Sequence, residues 1–297
     1  MQKNQLYQVR INKHKNTLKK NPTLRVGFFY FYKLMNSIED KPIGFFDSGV
    51  GGTSIWKEVH QLLPNESTIY LADSKNAPYG KKSKEKIIEF SIKNTEFLLN
   101  KNAKIIIVAC NTATTNAISI LRKKYDIPFI GIEPAIKPAG LITKTKKIGV
   151  LATQGTIQSD LFEQTSSSLD TTIEIIEQVG EGLVDLIEKG EIESKQMQKL
   201  LYKYLNPMIE KNIDALVLGC SHFPYLIPHI KDIIGNKIKI IDSGSAVARQ
   251  TKKILTRLDI LQNNKNNLTH EFYSNKNTKI LSELLNNKKV KLIKQNF

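Results

Sequence analysis

Short apolar runs that end in small or polar residues alternate with segments of helical periodicity along most of the chain. Ile43–Phe46 leads into a Gly-rich turn, and Thr53–Leu63 then has a helical pattern that Pro64 ends. Lys104–Ala109 is mostly β-branched, which is typical of a strand buried on both faces. Further strands are predicted at Thr68–Leu71, Ile127–Ile132, Lys147–Ala152, Thr172–Val179, Ala215–Gly219, Lys237–Ile241, Glu271–Tyr273 and Lys289–Ile293. This alternation predicts an α/β fold with mainly parallel sheets flanked by helices.

One predicted helix lies between the second and third strands. Ser83 is a suitable N-cap residue for it, since a serine hydroxyl can accept a hydrogen bond from a free amide of the first turn. Ile88, Ile92, Thr95 and Leu99 recur at helical spacing after this cap. We therefore expect these four residues to lie on one face of the helix.

Two segments of the first half have counterparts in the second half. Ile43–Phe46 resembles Ile148–Leu151 at an offset of 105 residues, and Ile107–Asn111 resembles Val217–Ser221 at an offset of 110. Each half would thus contain an opening strand and a later buried strand that ends in Cys. The similar offsets predict a duplicated domain, and chance similarity between short apolar stretches is the alternative.

The positive charge of the chain is concentrated at its N-terminus. The 297 residues include 44 Lys and Arg against 28 Asp and Glu, a formal net charge of +16. Eight of these basic residues, and no acidic residue, lie within residues 1–34. We expect residues 1–40 to be a disordered basic extension and Met35 to be the true start; a targeting peptide is less favoured.

The remaining excess charge comes mainly from Lys, because the whole chain contains only five Arg. Nucleic-acid grooves use Arg for bidentate contacts, so we interpret this excess as a compositional bias. A basic nucleic-acid-binding protein remains the alternative from a different functional class. No apolar run approaches the roughly 18 residues of a membrane span, so a membrane protein is not expected.

Cys110 and Cys220 are the only two cysteines, too few for a disulfide framework, and they indicate a reducing, cytoplasmic compartment. Each follows a predicted buried strand and precedes polar residues that open a helix. This places both at the carboxyl edge of a parallel sheet, where ligands bind and where a helix N-terminus stabilises a thiolate. The alternative is that both are merely small buried side chains.

Two such cysteines, one in each half of the chain, could face one another across a cleft, and two opposed thiols allow three kinds of chemistry. A redox pair normally has closely spaced cysteines, and this chain has no Cys-x-x-Cys motif. A zinc site built from Cys110, Cys220 and His222 would lack a fourth ligand. The third possibility is acid–base catalysis on the two faces of one carbon, in which one thiolate removes a proton and the opposite thiol delivers one. We favour this third interpretation and expect no metal.

Titratable residues stand near each cysteine position. Asp47 ends the first strand and precedes Ser48, while His222 follows Cys220 by two residues. These neighbours could keep one thiol charged and the other protonated, although Asp47 could instead be a turn residue. The Gly49–Gly52 turn could bind a phosphate, but it lacks the Lys-Ser/Thr ending of a P-loop.

Four motifs, in this order, closely resemble those of the glutamate racemases in the aspartate/glutamate racemase family. They are Asp47–Gly52, Pro78–Gly80, Ala109–Ala113 and Gly219–Pro224, with weaker matches at Gly131–Pro134 and Ala152–Ile157. The resemblance runs from about Ile43 to near Asp242 and continues more faintly to the end of the chain. Ser221 and Phe223 stand where the family more often has Thr and Tyr. Related aspartate or hydantoin racemases are the alternative, since both cysteines would be kept there.

The resemblance implies a cofactor-independent enzyme that converts L-glutamate to D-glutamate for peptidoglycan, with Cys110 and Cys220 as the proton-transfer residues. It implies substrate contacts at Asp47, Ser48, Tyr79, Gly80, Asn111, Thr112, Ser221 and His222, and weaker ones at Thr153, Thr156 and Glu188. It also implies two pseudosymmetric domains, 41–132 plus 245–297 and 133–244, with the active site in the cleft between them. The expected partners are the small-molecule substrate glutamate and a second copy of the chain in a homodimer.

Overall fold

The computed structural model describes residues 38–263, 268–286 and 289–297, and contains two sheets that are parallel throughout. The first has strands β1 (Ile43–Asp47), β2 (Thr68–Ala72), β3 (Ile105–Val108), β4 (Phe129–Gly131), β9 (His270–Ser274) and β10 (Lys291–Lys294), in the order β10-β9-β2-β1-β3-β4. The second has β5 (Lys147–Ala152), β6 (Glu174–Val179), β7 (Ala215–Gly219) and β8 (Lys239–Ile241), in the order β6-β5-β7-β8. The predicted α/β class with parallel sheets is thereby confirmed.

Helices connect the strands in both units. In the first unit they are α1 (Thr53–Leu62), a 3₁₀ helix (Tyr79–Lys81), α2 (Lys84–Asn100) and α3 (Asn111–Lys124). In the second they are α4 (Ile136–Ile142), α5 (Gln154–Ile157), α6 (Asp160–Ser167), α7 (Leu183–Lys189), α8 (Lys195–Glu210), a 3₁₀ helix (Phe223–Leu226) and α9 (Ile227–Ile234). The chain ends with α10 (Gly244–Leu258) and α11 (Lys279–Leu285) around β9 and β10. No described helix is long and apolar enough to cross a membrane.

The two sheets repeat one arrangement of strands around their centres. β1 lies between β2 and β3, with Phe46 opposite Val108, and β5 lies between β6 and β7, with Leu151 opposite Leu218. Because all these strands are parallel, the residues that follow β1 and β3 meet at one edge, and those that follow β5 and β7 meet at another. Ser48 and Cys110 are thus brought together in the first unit, and Thr153 and Cys220 are brought to one edge in the second unit.

Fully buried apolar strands explain why these edges are rigid. All residues of β1, β3 and β7 are buried, as expected for strands covered by helices on both faces. Each buried Ile, Leu or Phe side chain contributes roughly 1.5–3 kcal/mol relative to an exposed one. Such a core holds the strand ends, and the side chains that follow them, in fixed positions.

The predicted face of α2 packs against the core but does not contain most of its fully buried residues. Ser83 caps the helix as expected, with its hydroxyl accepting from the Lys86 amide at 3.4 Å. The buried face, however, consists of Ile87, Ser91, Asn94, Thr95 and Leu98, and the predicted Ile88, Ile92 and Leu99 are only partly buried. Ser91 and Asn94 are polar, so the hydrophobic pattern alone did not indicate that they are buried.

The start of the described chain is already packed onto the first unit. Lys104, next to β3, donates through Nζ to the Glu39 carbonyl at 2.7 Å and forms a fully buried ion pair with Glu66 at 2.6 Å. Ile38 packs against the core. Residues 38–40, which the sequence analysis placed in the extension, are therefore ordered here, whereas residues 1–37, with Met35, lie outside the described residues. The predicted domain boundaries remain a proposal.

Candidate active site

Cys110 lies where β3 meets α3 and caps that helix. Its Sγ accepts a hydrogen bond from the Ala113 amide at 3.4 Å, and its thiol donates to the Ser48 hydroxyl at 3.7 Å. Ser48 follows β1, the neighbouring strand. Burial raises the pKa of the Cys110 thiol far above its usual range, and the negative charge of Asp47 adds to the rise. The surroundings of Cys110 thus favour the protonated thiol.

Cys220 follows β7 in the second unit and has a different neighbour. Its Sγ lies 3.8 Å from Nδ1 of His222, and both side chains are buried. The polar residues after Cys220 predict a helix directly, but a short 3₁₀ helix intervenes before α9. The extra turn places His222 beside the sulfur rather than on a regular helix surface.

His222 is held by a carboxylate from α7. Its Nε2 lies 2.7 Å from Oε1 of Glu188, which also accepts from the Val50 amide at 2.6 Å. The pKa of His222 is well above its usual value: burial lowers it, but hydrogen bonds to Cys220 and Glu188 and the charge of Asp47 outweigh this effect. The Gly51 amide also points at Nε2, at 3.2 Å. In the imidazolium form that the raised pKa favours, Nε2 donates to Glu188 instead.

Asp47 ends β1 and connects the two units. Its Oδ2 accepts from the amides of Gly49 and Gly52 at 3.2 and 3.0 Å, and its Oδ1 accepts from the Ser221 hydroxyl at 3.1 Å. Burial raises the pKa of Asp47, while the charge of His222 and these backbone amides oppose the rise. Asp47 is both a turn residue and a charge at the site, so the two interpretations of the sequence do not exclude each other.

The Gly-rich turn after β1 approaches the second unit so closely that side chains would not fit. A Cβ on Gly49 would lie 1.9 Å from Oε1 of Glu188, and one on Gly51 would lie 2.2 Å from Nδ1 of His222. The turn amides donate to protein side chains, as described above. They are therefore committed to holding Asp47 and Glu188, and the phosphate-binding alternative is not supported.

One pocket, with an empty volume of ≈ 240 Å³, collects most of the predicted site residues from both units. It is lined by nine of the ten: Ser48, Tyr79, Gly80, Cys110, Asn111, Thr112, Cys220, Ser221 and His222, together with Thr153 and the unpredicted Val184 and Pro78. Asp47 lies behind this wall, hydrogen-bonded to Ser221. Val184 is an ordinary buried apolar residue of α7, so no sequence signal distinguished it.

Hydroxyl groups from both units meet at one side of the pocket. Thr112 Oγ1 lies 2.8 Å from Thr153 Oγ1 and 3.3 Å from Thr156 Oγ1. The amide of the neighbouring Asn111 side chain is buried, and neither its oxygen nor its nitrogen has a partner among the described residues. A buried amide without partners is costly unless a ligand or water completes its hydrogen bonds. Asn111 thus marks a place where a polar ligand would be stabilised.

The remaining predicted residues differ in what they offer to the pocket. The Tyr79 hydroxyl donates to Asp73 at 2.5 Å, so Tyr79 contributes its ring and backbone rather than a free hydroxyl. Gly80 lies against Thr153, where an added Cβ would be 2.8 Å from the Thr153 Cβ. Both cysteines are free thiols. Within the described parts of the chain, no three His, Cys, Asp or Glu side chains are grouped so that they could hold a metal ion.

The site can be compared with known proteins. Residues 51–251 match the family described as Asp/Glu/Hydantoin racemase. A glutamate racemase of Cupriavidus pinatubonensis is 44% identical over 226 residues, covering 76% of this chain and 83% of that protein. The solved structure of glutamate racemase isoform RacE1 from Bacillus anthracis has a TM-score of 0.79 at 32% identity and covers 87% of this chain and 98% of its own.

A second solved structure shows a ligand in such a protein. The glutamate racemase of Francisella tularensis, described in complex with D-glutamate, has a TM-score of 0.76 at 30% identity, covering 87% of this chain and 98% of its own. The family match spans most of the chain and includes both cysteines, and the relatives are matched over most of their length. The chain therefore belongs to the glutamate racemases of the Asp/Glu/Hydantoin racemase family.

Proposed function

We propose that this protein interconverts L- and D-glutamate by proton transfer between Cys110 and Cys220, without a cofactor. The observation that carries the proposal is the pocket in which the two cysteines, each at the end of a buried central strand, come from different sheets. A carbon bound between them could lose a proton to one sulfur and gain a proton from the other. Two acid–base groups on opposite faces of one carbon allow its configuration to be inverted.

The charges around the cysteines favour one resting state. The imidazolium of His222, held by Glu188, stabilises a negative charge on the Cys220 sulfur 3.8 Å away. Burial and Asp47 favour the protonated Cys110 thiol. The Cys220 thiolate then takes the α-proton from the enantiomer that presents it, and the Cys110 thiol gives its proton to the opposite face. The products are the other enantiomer, a Cys220 thiol and a Cys110 thiolate, which is the starting state for the reverse reaction.

The pocket walls supply polar groups for an amino acid with two carboxylates. The unpartnered Asn111 amide and the hydroxyls of Thr112 and Thr153 offer donors at the Cys110 side, and Ser221 stands at the Cys220 side. Such preorganised dipoles stabilise the charge that develops when an α-proton leaves a carbon beside a carboxylate. Glutamate is favoured over aspartate or a hydantoin because the relatives matched at about 40% identity are glutamate racemases.

The cellular role follows from the activity and is part of the proposal. D-glutamate produced here would be used in peptidoglycan synthesis in the cytoplasm, where two free cysteines are stable. We also propose the two-domain division 38–132 plus 245–297 and 133–244, which assigns each sheet to one domain. A homodimer is a further proposal, which light scattering of the purified protein would test.

The decisive experiment is incubation of the protein with L-glutamate in D₂O. We expect the optical rotation to fall to zero and deuterium to appear at the α-carbon of D-glutamate before it appears in the remaining L-glutamate. This order is expected because a separate, solvent-derived deuteron is delivered from the opposite face. If the optical rotation does not fall and no deuterium is incorporated, glutamate is rejected as the substrate. Faster turnover of L-aspartate in a parallel sample would favour an aspartate racemase instead.

A further inference from the structure

The wall of the pocket that contains Tyr79 is held from outside the pocket. Pro78, Tyr79 and Gly80 line the site, and the Tyr79 ring is buried against Phe90 with ring centroids 5.4 Å apart. The Tyr79 hydroxyl has two partners: it donates to Oδ2 of Asp73 and accepts from the Asn94 side chain at 3.1 Å. The position of this wall thus depends on groups that do not touch the pocket.

Asp73 is the centre of this arrangement. It follows β2, is nearly inaccessible to solvent, and its amide donates to the Asp47 carbonyl at 3.1 Å. Besides Tyr79, the side-chain amides of Asn76 and Asn275 donate to the other carboxylate oxygen. A buried carboxylate is tolerated when hydrogen bonds replace its hydration, so each donor supports the position of the others.

Asn275 brings the C-terminal part of the chain to the site. It directly follows β9, lies beyond the family match at 51–251, and is buried. Its Nδ2 donates to Asp73, and its Oδ1 accepts from the Lys75 amide at 2.9 Å. The side-chain amide therefore uses both of its ends to join the loop after β2 to the end of β9.

We propose that Asn275 and Asn94 are positioning residues for the active site, which hold Tyr79 and the pocket wall around it through hydrogen bonds to Asp73 and to the Tyr79 hydroxyl. The alternative is that Asn275 only stabilises the carboxyl end of β9, where this strand pairs with β2. In that case its loss would lower the stability of the fold and leave substrate binding unchanged.

The expected kinetic effect follows from the role of the wall. Without Asn275, Asp73 loses one hydrogen-bond donor and holds Tyr79 less firmly. A smaller fraction of the protein molecules then has the pocket wall in the position that binds substrate. A lower competent fraction raises the apparent dissociation constant in proportion. The cysteines and His222 are not contacted by Asn275. We therefore expect KM to rise and kcat to change little.

The test compares Asn275→Ala with Gln295→Ala, a control at an exposed amide side chain near the C-terminal end of the same sheet. We expect Asn275→Ala to raise KM for both enantiomers about tenfold with kcat within about twofold, and the control to leave both unchanged. Asn94→Leu, which removes the donor on the opposite side of Tyr79, should act in the same way. It also provides the test if Asn275→Ala does not fold. An unchanged KM in folded variants would overturn the proposal.

A double-mutant cycle separates positioning from general destabilisation. If Asn275 acts through Asp73 and Tyr79, its substitution should raise KM less than about twofold in a Tyr79→Phe background, because the path is already broken there. Effects on KM that multiply independently would show that Asn275 acts by another route. The same cycle with Asn94→Leu supplies an independent measurement of the coupling.

The kinetic arms rest on the proposed function, so one measurement avoids turnover. Hydrogen–deuterium exchange of the free protein should show faster exchange of amides in Tyr79–Lys81 for Asn275→Ala, but not for Gln295→Ala. If the unaltered protein fails to racemise glutamate, the proposed function fails, while this exchange measurement still decides the positioning role. Equal exchange in both variants would overturn that role.

Discussion

The edges that carry Cys110 and Cys220 have the same scaffold and opposite electrostatics. With the offsets of the duplicated segments, Ala152 stands at the position of Asp47, and His222 stands at the position of Thr112. The first edge thus has a carboxylate beside its thiol, and the second has an imidazole. The two sheets thus place two thiols at equivalent strand ends, and in the proposed mechanism the different neighbours let one thiol act as the proton donor and the other as the proton acceptor.

The difference also shows that neither edge is complete on its own. Glu188 of the second unit is held by the Val50 amide of the first, and Asp47 of the first accepts from Ser221 of the second. Each unit therefore contributes a group that sets the charge at the other. The asymmetry is therefore a property of the assembled pocket. Glycines at the contact, where a Cβ would not fit, allow the two units to approach this closely.

Removal of either thiol should give the largest effect on racemisation and should show which face of the substrate α-carbon each thiol serves. We expect Cys110→Ala and Cys220→Ala each to lower racemisation by about 10³-fold or more, since each removes one acid–base group. Cys110→Ala should still exchange the α-hydrogen of one enantiomer with D₂O, and Cys220→Ala that of the other, as measured by proton NMR. Exchange of the same enantiomer by both variants would mean that the cysteines do not face opposite sides of the substrate.

The Gly51 contact tests whether the second edge depends on the turn of the first. Gly51→Ala would place a Cβ 2.2 Å from Nδ1 of His222, so the imidazole must move away from Cys220. We expect kcat/KM to fall about 100-fold, within the range of losing acid–base assistance. Gly140→Ala on α4 is the control, because its Cβ would meet the far end of the flexible Leu169 side chain at 3.0 Å. Equal activity of the two variants would contradict the role assigned to the contact.

The sign of the charge at the second edge can be tested by pH. Glu188 raises the pKa of His222, so Glu188→Gln should lower it. In the proposed mechanism the active form contains protonated His222, so activity should be lost as pH rises through the His222 pKa. The alkaline limb of the kcat/KM profile should therefore move to lower pH, with a loss of about tenfold near pH 8 and less at pH 6. A shift to higher pH would show that neutral His222 is the active form.

The sequence predicted the strands and the paired edges well, and the contacts between the units poorly. Continuous apolar runs such as Ala215–Gly219 can be recognised because a doubly covered strand has no polar face. The most buried positions of α2 were harder to find because they include the polar Ser91 and Asn94, which a hydrophobic pattern treats as exposed. Val184 and Asn275 could not have been found, since their roles arise from residues far away in the chain and neither belongs to a local motif.

The smallest effect is expected at the exposed rim, where two ion pairs join the units. Lys81 contacts Asp185 and Lys84 contacts Asp160, both at 2.9 Å, with the Lys81 and Asp185 side chains 53% and 35% exposed. Solvent-exposed pairs contribute little and are screened by salt. We expect Lys81→Ala to raise KM less than about threefold, and the difference to vanish in 1 M NaCl. Lys86→Ala, whose partner Glu89 lies on the same helix, is the control and should have no effect. A tenfold or larger change would mean that the rim, rather than the buried contacts of Glu188 and Asp47, holds the two edges together.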